Sequence, residues 1–208
     1  QGYSSAASDV YKRQVVKQEK SGYQIVEAYK SLRTNLQFCG EDKKVIAVTS
    51  CTPNEGKSSV SMQLGISLAE SGKRVILIDA DLRKSVLLGR TKTQKSVRGL
   101  AHFLSGQATL EDVICSTNVK NFYMIYSGPF PPNPAELLGG KNFRSLLNAL
   151  RKVYDYVIVD TPPLGSVIDS AIVAEICDGS IMVIESGVIS YRFAQEVKSQ
   201  LERSTVSY

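Results

Sequence analysis

Val45-Ile46-Ala47-Val48-Thr49-Ser50-Cys51-Thr52-Pro53-Asn54-Glu55-Gly56-Lys57-Ser58-Ser59 is the stretch that decides the fold. An apolar run, Val45–Thr49, enters a short polar loop, and the loop opens into a helical pattern over Lys57–Ser71. A strand, a tight turn and a helix N-terminus in that order hold phosphate, because backbone N–H groups converge on the anion and the helix dipole adds to them. The candidate nucleotide contacts are Pro53, Asn54, Glu55, Gly56, Lys57, Ser58 and Ser59. Gly56 lets the backbone approach a ligand closely. Lys57 is long enough to reach β- and γ-phosphates, and Ser58 offers a hydroxyl to Mg²⁺. The spacing follows G-x-x-x-x-G-K-[ST] except at the first glycine, where Cys51 stands.

Further apolar runs follow at Val75–Ile78, Phe122–Tyr126, Tyr156–Val159 and Ile181–Ile184. Helical patterns alternate with them at Ser96–Leu104, Leu110–Cys115, Phe143–Val153, Ile168–Cys177 and Tyr191–Arg203, and Tyr23–Gln37 precedes the first run. Strands alternating with helices predict an α/β fold, a doubly wound, mostly parallel sheet covered on both faces. Pro129–Pro134 reads as a stiff connector, because each proline fixes its own φ. Ligands of such sheets bind at the carboxyl ends of the strands.

Two of those ends carry acids. Val75-Ile76-Leu77-Ile78 runs into Asp79-Ala80-Asp81-Leu82-Arg83, and Tyr156-Val157-Ile158-Val159 runs into Asp160-Thr161-Pro162-Pro163. A carboxylate closing a buried strand is costly unless it serves a cation or a proton. Mg²⁺ takes oxygen ligands together with water and substrate phosphate, which suits Ser58, Asp81 and Asp160. Asp79 is left as a candidate base for an incoming hydroxyl.

The 208 residues are 43% hydrophobic and 22% charged, with a net charge of +5. That suits one globular domain. No apolar stretch is long enough to span a bilayer and no signal-peptide pattern is present, so the expected location is the cytoplasm. No Lys/Arg run is dense enough for a polybasic anchor or a nucleic-acid patch, and nucleic acid is not expected as a partner. Cys39, Cys51, Cys115 and Cys177 make no C-x-x-C pair and read as reduced thiols. His102, the only histidine, reads as structural. The first methionine is Met62, and residues 1–14 resemble translated adapter sequence. They are set outside the fold as a non-native leader, leaving residues 15–208 as one domain, short at its C-terminus.

VTSCTPNEGKSS (48–59), VILIDADLR (75–83) and YVIVDTPP (156–163) resemble the Walker A, A′ and B motifs of bacterial tyrosine kinases that regulate capsule and exopolysaccharide synthesis. Glu27-Ala28-Tyr29-Lys30-Ser31-Leu32-Arg33 is similar to that family's E-x-x-R-x-x-R helix, and Ser127–Leu138 to a family loop. The resemblance spans about Glu27 to Arg203. It implies a P-loop NTPase fold of the deviant-Walker type, and an autophosphorylating kinase that moves the ATP γ-phosphate to tyrosine. Lys57 would bind phosphate, Ser58 would bind Mg²⁺, Asp81 and Asp160 would order the metal and its waters, and Asp79 would polarise the tyrosine hydroxyl. Glu27, Lys30 and Arg33 would lie at the interface of a homo-oligomeric ring. A membrane-embedded activator, the chain-length regulator, would hold the kinase at the inner face of the plasma membrane.

The chain departs from the pattern in three places. Asn54 stands where glycine is usual, Lys30 replaces an arginine and loses its bidentate fork, and the tyrosine cluster that ends family members is missing after Tyr208. Two other readings remain. A positioning or partition ATPase would carry a further lysine where this chain has Thr52. A nucleotide-dependent assembly module would regulate export without catalysis.

Overall fold

The computed structural model describes residues 13–14, 22–91 and 97–205. Strands β1 (Arg13–Gln14), β2 (Val45–Ser50), β3 (Val75–Asp79), β4 (Cys115–Thr117), β5 (Phe122–Ile125), β6 (Tyr156–Asp160) and β7 (Gly179–Val183) form one sheet in the order β1-β4-β5-β3-β6-β2-β7. All neighbouring pairs are parallel except β4 with β5. The doubly wound, mostly parallel sheet is as expected.

Period-2 alternation divides each central strand between two cores. Ile46, Val48, Val75, Leu77, Tyr156 and Ile158 face one cluster, joined by Leu64, Ile66 and Leu68 of helix α2 (Lys57–Glu70) and Leu36 of α1 (Tyr23–Phe38). Val45, Ala47, Ile76, Ile78, Val157 and Val159 face the other. There α7 (Lys141–Leu150) inserts Phe143, Leu146, Leu147 and Leu150, a spacing that lines one side of a helix. Short helices α3 (Leu87–Arg90), α4 (Leu100–Leu104), α5 (Leu110–Val113) and α6 (Pro134–Gly139) connect the elements, and α8 (Asp169–Glu175) packs with α9 (Tyr191–Thr205) near the carboxyl ends of the strands.

The differences from expectation have local causes. The helix expected from Ser96 starts at Leu100, because the Leu100 and Ala101 N–H groups donate to Tyr126 and Ser127 carbonyls at 2.7 and 2.9 Å. Ser96 itself lies outside the described residues. The helix expected over Leu110–Cys115 stops at Val113, and Cys115–Thr117 becomes β4. A short apolar run does not distinguish the two by pattern alone. Pro134 ends the stiff connector by opening α6, where its missing N–H costs nothing. Arg13 and Gln14, read from sequence as outside the fold, pair with Ser116 and Thr117. His102 Nδ1 accepts the Gly99 N–H at 3.1 Å, at the start of α4.

Helix α2 lies tight against the sheet at Gly65, where an added Cβ would lie 2.6 Å from the buried Phe122 ring. Gly65→Val is expected to overpack this contact and cost roughly 1–3 kcal/mol. A lowered urea midpoint with unchanged m-value checks it.

Candidate active site

Between the end of β2 and the start of α2 the chain must reverse within six residues, and two of them adopt positive φ. Asn54 has φ 69° and Gly56 φ 87°. Asparagine tolerates that region better than most side chains, and glycine enters it freely. The Cys51 side chain is fully buried among Leu164, Ala174, Val197 and Leu201. A side chain is therefore tolerated where the motif has glycine. Glu55 turns inward, accepting the Thr52 N–H at 2.5 Å and the Glu185 N–H at 3.3 Å. It braces the loop against the segment that follows β7. On the other side, Gly165 lies so close that an added Cβ would meet the Cys51 carbonyl at 2.3 Å.

Lys57 and Ser58 open α2 and are both buried. The Lys57 Nζ lies 3.4 Å from Asp81 Oδ2, 3.8 Å from Asp160 Oδ2 and 3.2 Å from Ser58 Oγ. Parallel pairing of β3 with β6 sets Asp79 in register with Asp160. Ser61, one turn into α2, donates to Asp160 Oδ1 at 2.9 Å. Ser85 donates to Asp79 Oδ2, and Asp79 Oδ1 is buried without a hydrogen-bond partner. Burial, reinforced by the charge of Asp160, raises the Asp79 carboxyl to about 7. Burial also raises Asp160, with Lys57 opposing it.

A cavity of about 330 Å³ opens above this cluster. The phosphate loop forms one wall through Pro53, Asn54, Gly56, Lys57 and Ser58. Asp81 to Arg90 contribute a second wall and Pro162 to Val167 a third. The expected residues converge, but at different depths. Asp81 is on the wall, whereas Asp79 and Asp160 lie beneath it, 0% and 1% exposed. Ser59 turns toward Arg90, which donates to its hydroxyl.

Sequence reasoning missed several wall residues. Arg83 has no role of its own in the motif, yet it reaches across the site to Asp169, with Nε and Nη2 at 2.8 and 3.0 Å from the two carboxylate oxygens. Asp169 is fully buried and 86 residues away in the chain, so no local signal marked it. Lys84 and Arg90 lie just beyond the motif and carry no local signal of their own.

The residues expected at a subunit interface are divided. Lys30 pairs with Glu27 at 2.8 Å on the surface of α1. Arg33 instead donates to the Ser67 carbonyl at 2.8 Å, fastening α1 to α2 within the chain.

The cluster holds three carboxylates against one ammonium, and the unpartnered Asp79 oxygen adds to the imbalance. This excess fits a bound cation. Among the described residues no group of three or more His, Cys, Asp or Glu forms a ready-made cage. The donors present suit an ion that completes its shell with phosphate oxygens and water.

A family model described as an AAA domain matches residues 43–203. Tyrosine-protein kinase CpsD of Streptococcus agalactiae is 44% identical over 178 residues, 86% of this chain and 77% of that protein. The chain belongs to the bacterial tyrosine-protein kinases. Among solved structures, the kinase domain of the Escherichia coli tyrosine kinase ETK superposes with a TM-score of 0.84 at 30% identity, covering 93% of this chain and 86% of that one. The cell-division protein MinD of Pyrococcus horikoshii, solved with Mg-ADP, shares the fold at a TM-score of 0.65 and 23% identity, covering 79% of this chain and 67% of that one. Both comparisons show the same P-loop fold.

The raised Asp79 pKa has a consequence for stability. An acid raised on folding binds its proton more tightly in the folded state, so it weakens folding increasingly as pH climbs from its unfolded value of about 3.9 to the folded value of about 7. In metal-free, nucleotide-free buffer, Asp79→Asn is expected to raise Tm at pH 8 by roughly 4 °C or more. The gain should shrink toward pH 5. Thermal melts of both proteins across that range check the sign.

Proposed function

We propose that the chain is an ATP-dependent protein-tyrosine kinase that regulates capsule or exopolysaccharide synthesis. The observation that carries this reading is Lys57 at the N-terminus of α2, ringed by Asp81 and Asp160 with Asp79 beneath, under a cavity open to solvent. Lys57 and the loop N–H groups hold the ATP phosphates. Ser58, with Asp81 and Asp160, holds Mg²⁺, which when bound neutralises charge on the transferring phosphoryl group. A tyrosine hydroxyl ionises near pH 10 and is a weak nucleophile at neutral pH. Asp79 serves as its base, and a pKa of about 7 suits a group that must accept a proton at that pH. Asp79 is sealed by the contact with Ser85, so the reading includes displacement of Ser85 when substrate enters.

The comparison with CpsD supports the tyrosine kinase reading over a positioning ATPase. So does position 52, where threonine replaces the further lysine of that group and its N–H is engaged by Glu55. Self-association and an activator belong to the same proposal. Tyr23, Ile25 and Val26 at the start of α1 are 80%, 50% and 41% exposed, which suits a surface covered by another copy. Among the described residues no helix is long and apolar enough to cross a membrane. Attachment to the inner face of the membrane is therefore assigned to a membrane-embedded activator.

The test is incubation with Mg-ATP, an activator-tail peptide and a tyrosine-rich peptide, reading phosphotyrosine and ADP together. Lys57→Met is expected to abolish phosphotyrosine, and Asp79→Asn to lower its rate by roughly 10²-fold or more. ADP without phosphotyrosine would favour the ATPase reading, and ATP binding with neither product the assembly module. If Asp79→Asn retains full activity, Asp79 is not the base.

A further inference from the structure

The second wall of the cavity carries two cations that no carboxylate meets among the described residues. Lys57 is faced by Asp81 and Asp160, and Arg83 is engaged by both oxygens of Asp169. Lys84 and Arg90, on the same wall and exposed, have no carboxylate partner among the described residues. Their placement is built rather than incidental. The Lys84 N–H donates to Asp81 Oδ1 at 2.9 Å, which fixes its backbone at the rim. Arg90 is tethered through the Ser59 hydroxyl at the first turn of α2. Between them Val86, 41% exposed, gives the wall an apolar surface, and Pro163 and Val167 line the facing wall. These apolar surfaces suit an aromatic ring, and Lys84 and Arg90 stand on the wall that carries Val86.

We propose that this rim, Lys84 and Arg90, selects acceptor tyrosines flanked by anionic side chains, either carboxylates or phosphotyrosines already formed. The proposal rests on the kinase reading and names its substrate class. An exposed charge pair is individually weak and screened by salt, so the selection acts as a bias. A phosphotyrosine carries more charge than a glutamate at neutral pH and accepts more hydrogen bonds from an arginine. If that source dominates, each transfer favours the next on a tyrosine-rich segment.

The experiment compares peptides with one acceptor tyrosine flanked by glutamates, by phosphotyrosines or by lysines, each with Mg-ATP and an activator-tail peptide. The readout is kcat/KM by mass spectrometry. Both anionic peptides are expected to exceed the lysine peptide by roughly fivefold, and about 0.5 M NaCl should flatten the difference. In the Lys84→Gln/Arg90→Gln variant the preference should disappear while KM for ATP is unchanged. A preference for one anionic peptide alone supports the proposal and identifies the source. Equal rates, or a preference that survives both substitutions, overturns it. A raised KM for ATP with no change in peptide preference also overturns it, because the cations then serve the nucleotide. If no peptide is phosphorylated, the kinase reading itself has failed. Anisotropy of fluorescein-labelled peptides with phenylalanine in place of the acceptor tyrosine then decides the surface, tighter anionic binding supporting it and equal binding overturning it.

Discussion

The pairing of β3 with β6 places Asp79 beside Asp160, and the rest of the site is organised around that buried pair of carboxylates. In-register partners on parallel strands project to the same face of the sheet. Here that face is the one covered by α2, since Val75, Leu77, Tyr156 and Ile158 all contact the α2 cluster. Two carboxylates side by side without water repel one another and lose hydration. Lys57, Ser61 and Ser85 offset part of this cost through an ion pair and two hydroxyl contacts. The remainder appears as the raised pKa of both acids and the unpartnered Asp79 oxygen. Such a cluster of carboxylates around one ammonium suits a site that takes up positive charge with its ligand. Active-site groups commonly carry such a deficit, and it weakens folding in proportion.

Backbone physics made the phosphate loop legible. A strand, a tight loop, glycine and lysine at a helix start need no tertiary information to be read, and Gly56, Lys57 and Ser58 stand where that reading put them. Strand ends bearing acids were legible for the same reason. Depth was not. Asp79 and Asp81 differ by two residues, yet Asp79 is the last residue of a buried strand and Asp81 lies beyond the sheet on the cavity wall. Only knowing where the strand stops relative to α2 separates them. The Arg83–Asp169 pair is non-local and left no pattern in either segment. The start of α4 was misread because its first N–H groups are satisfied by the end of β5 rather than by anything adjacent in the chain.

The departures from the motif can be judged on the same physical terms. Cys51 places a side chain where the pattern has glycine, and a side chain there must have somewhere to go. It goes into the small cluster formed by α8, α9 and Leu164. The loop is thereby tied to the elements that follow β6 and β7, as it is again through Glu55 and Gly165. What looks like a weakened motif is a loop held from both sides by the fold. Asn54 uses the other available route, occupying the left-handed region that its side chain tolerates.

One segment, Asp81 to Val86, links everything at the mouth of the cavity to what lies beneath it. Asp81 stands on the wall near Lys57 and accepts the Lys84 N–H. Arg83 crosses to α8, and Ser85 closes over Asp79. These are consecutive positions on a short stretch of backbone, so they do not move independently. Lys84 at the rim and Ser85 over Asp79 are adjacent in the chain, so the cavity mouth and the buried carboxylate share one stretch of backbone. The Arg83–Asp169 pair holds the segment in place, because the buried carboxylate would otherwise be left without its cation. The segment is therefore anchored at Arg83 while its neighbours serve the wall and the buried acid, which is why so few residues connect the two depths of the site.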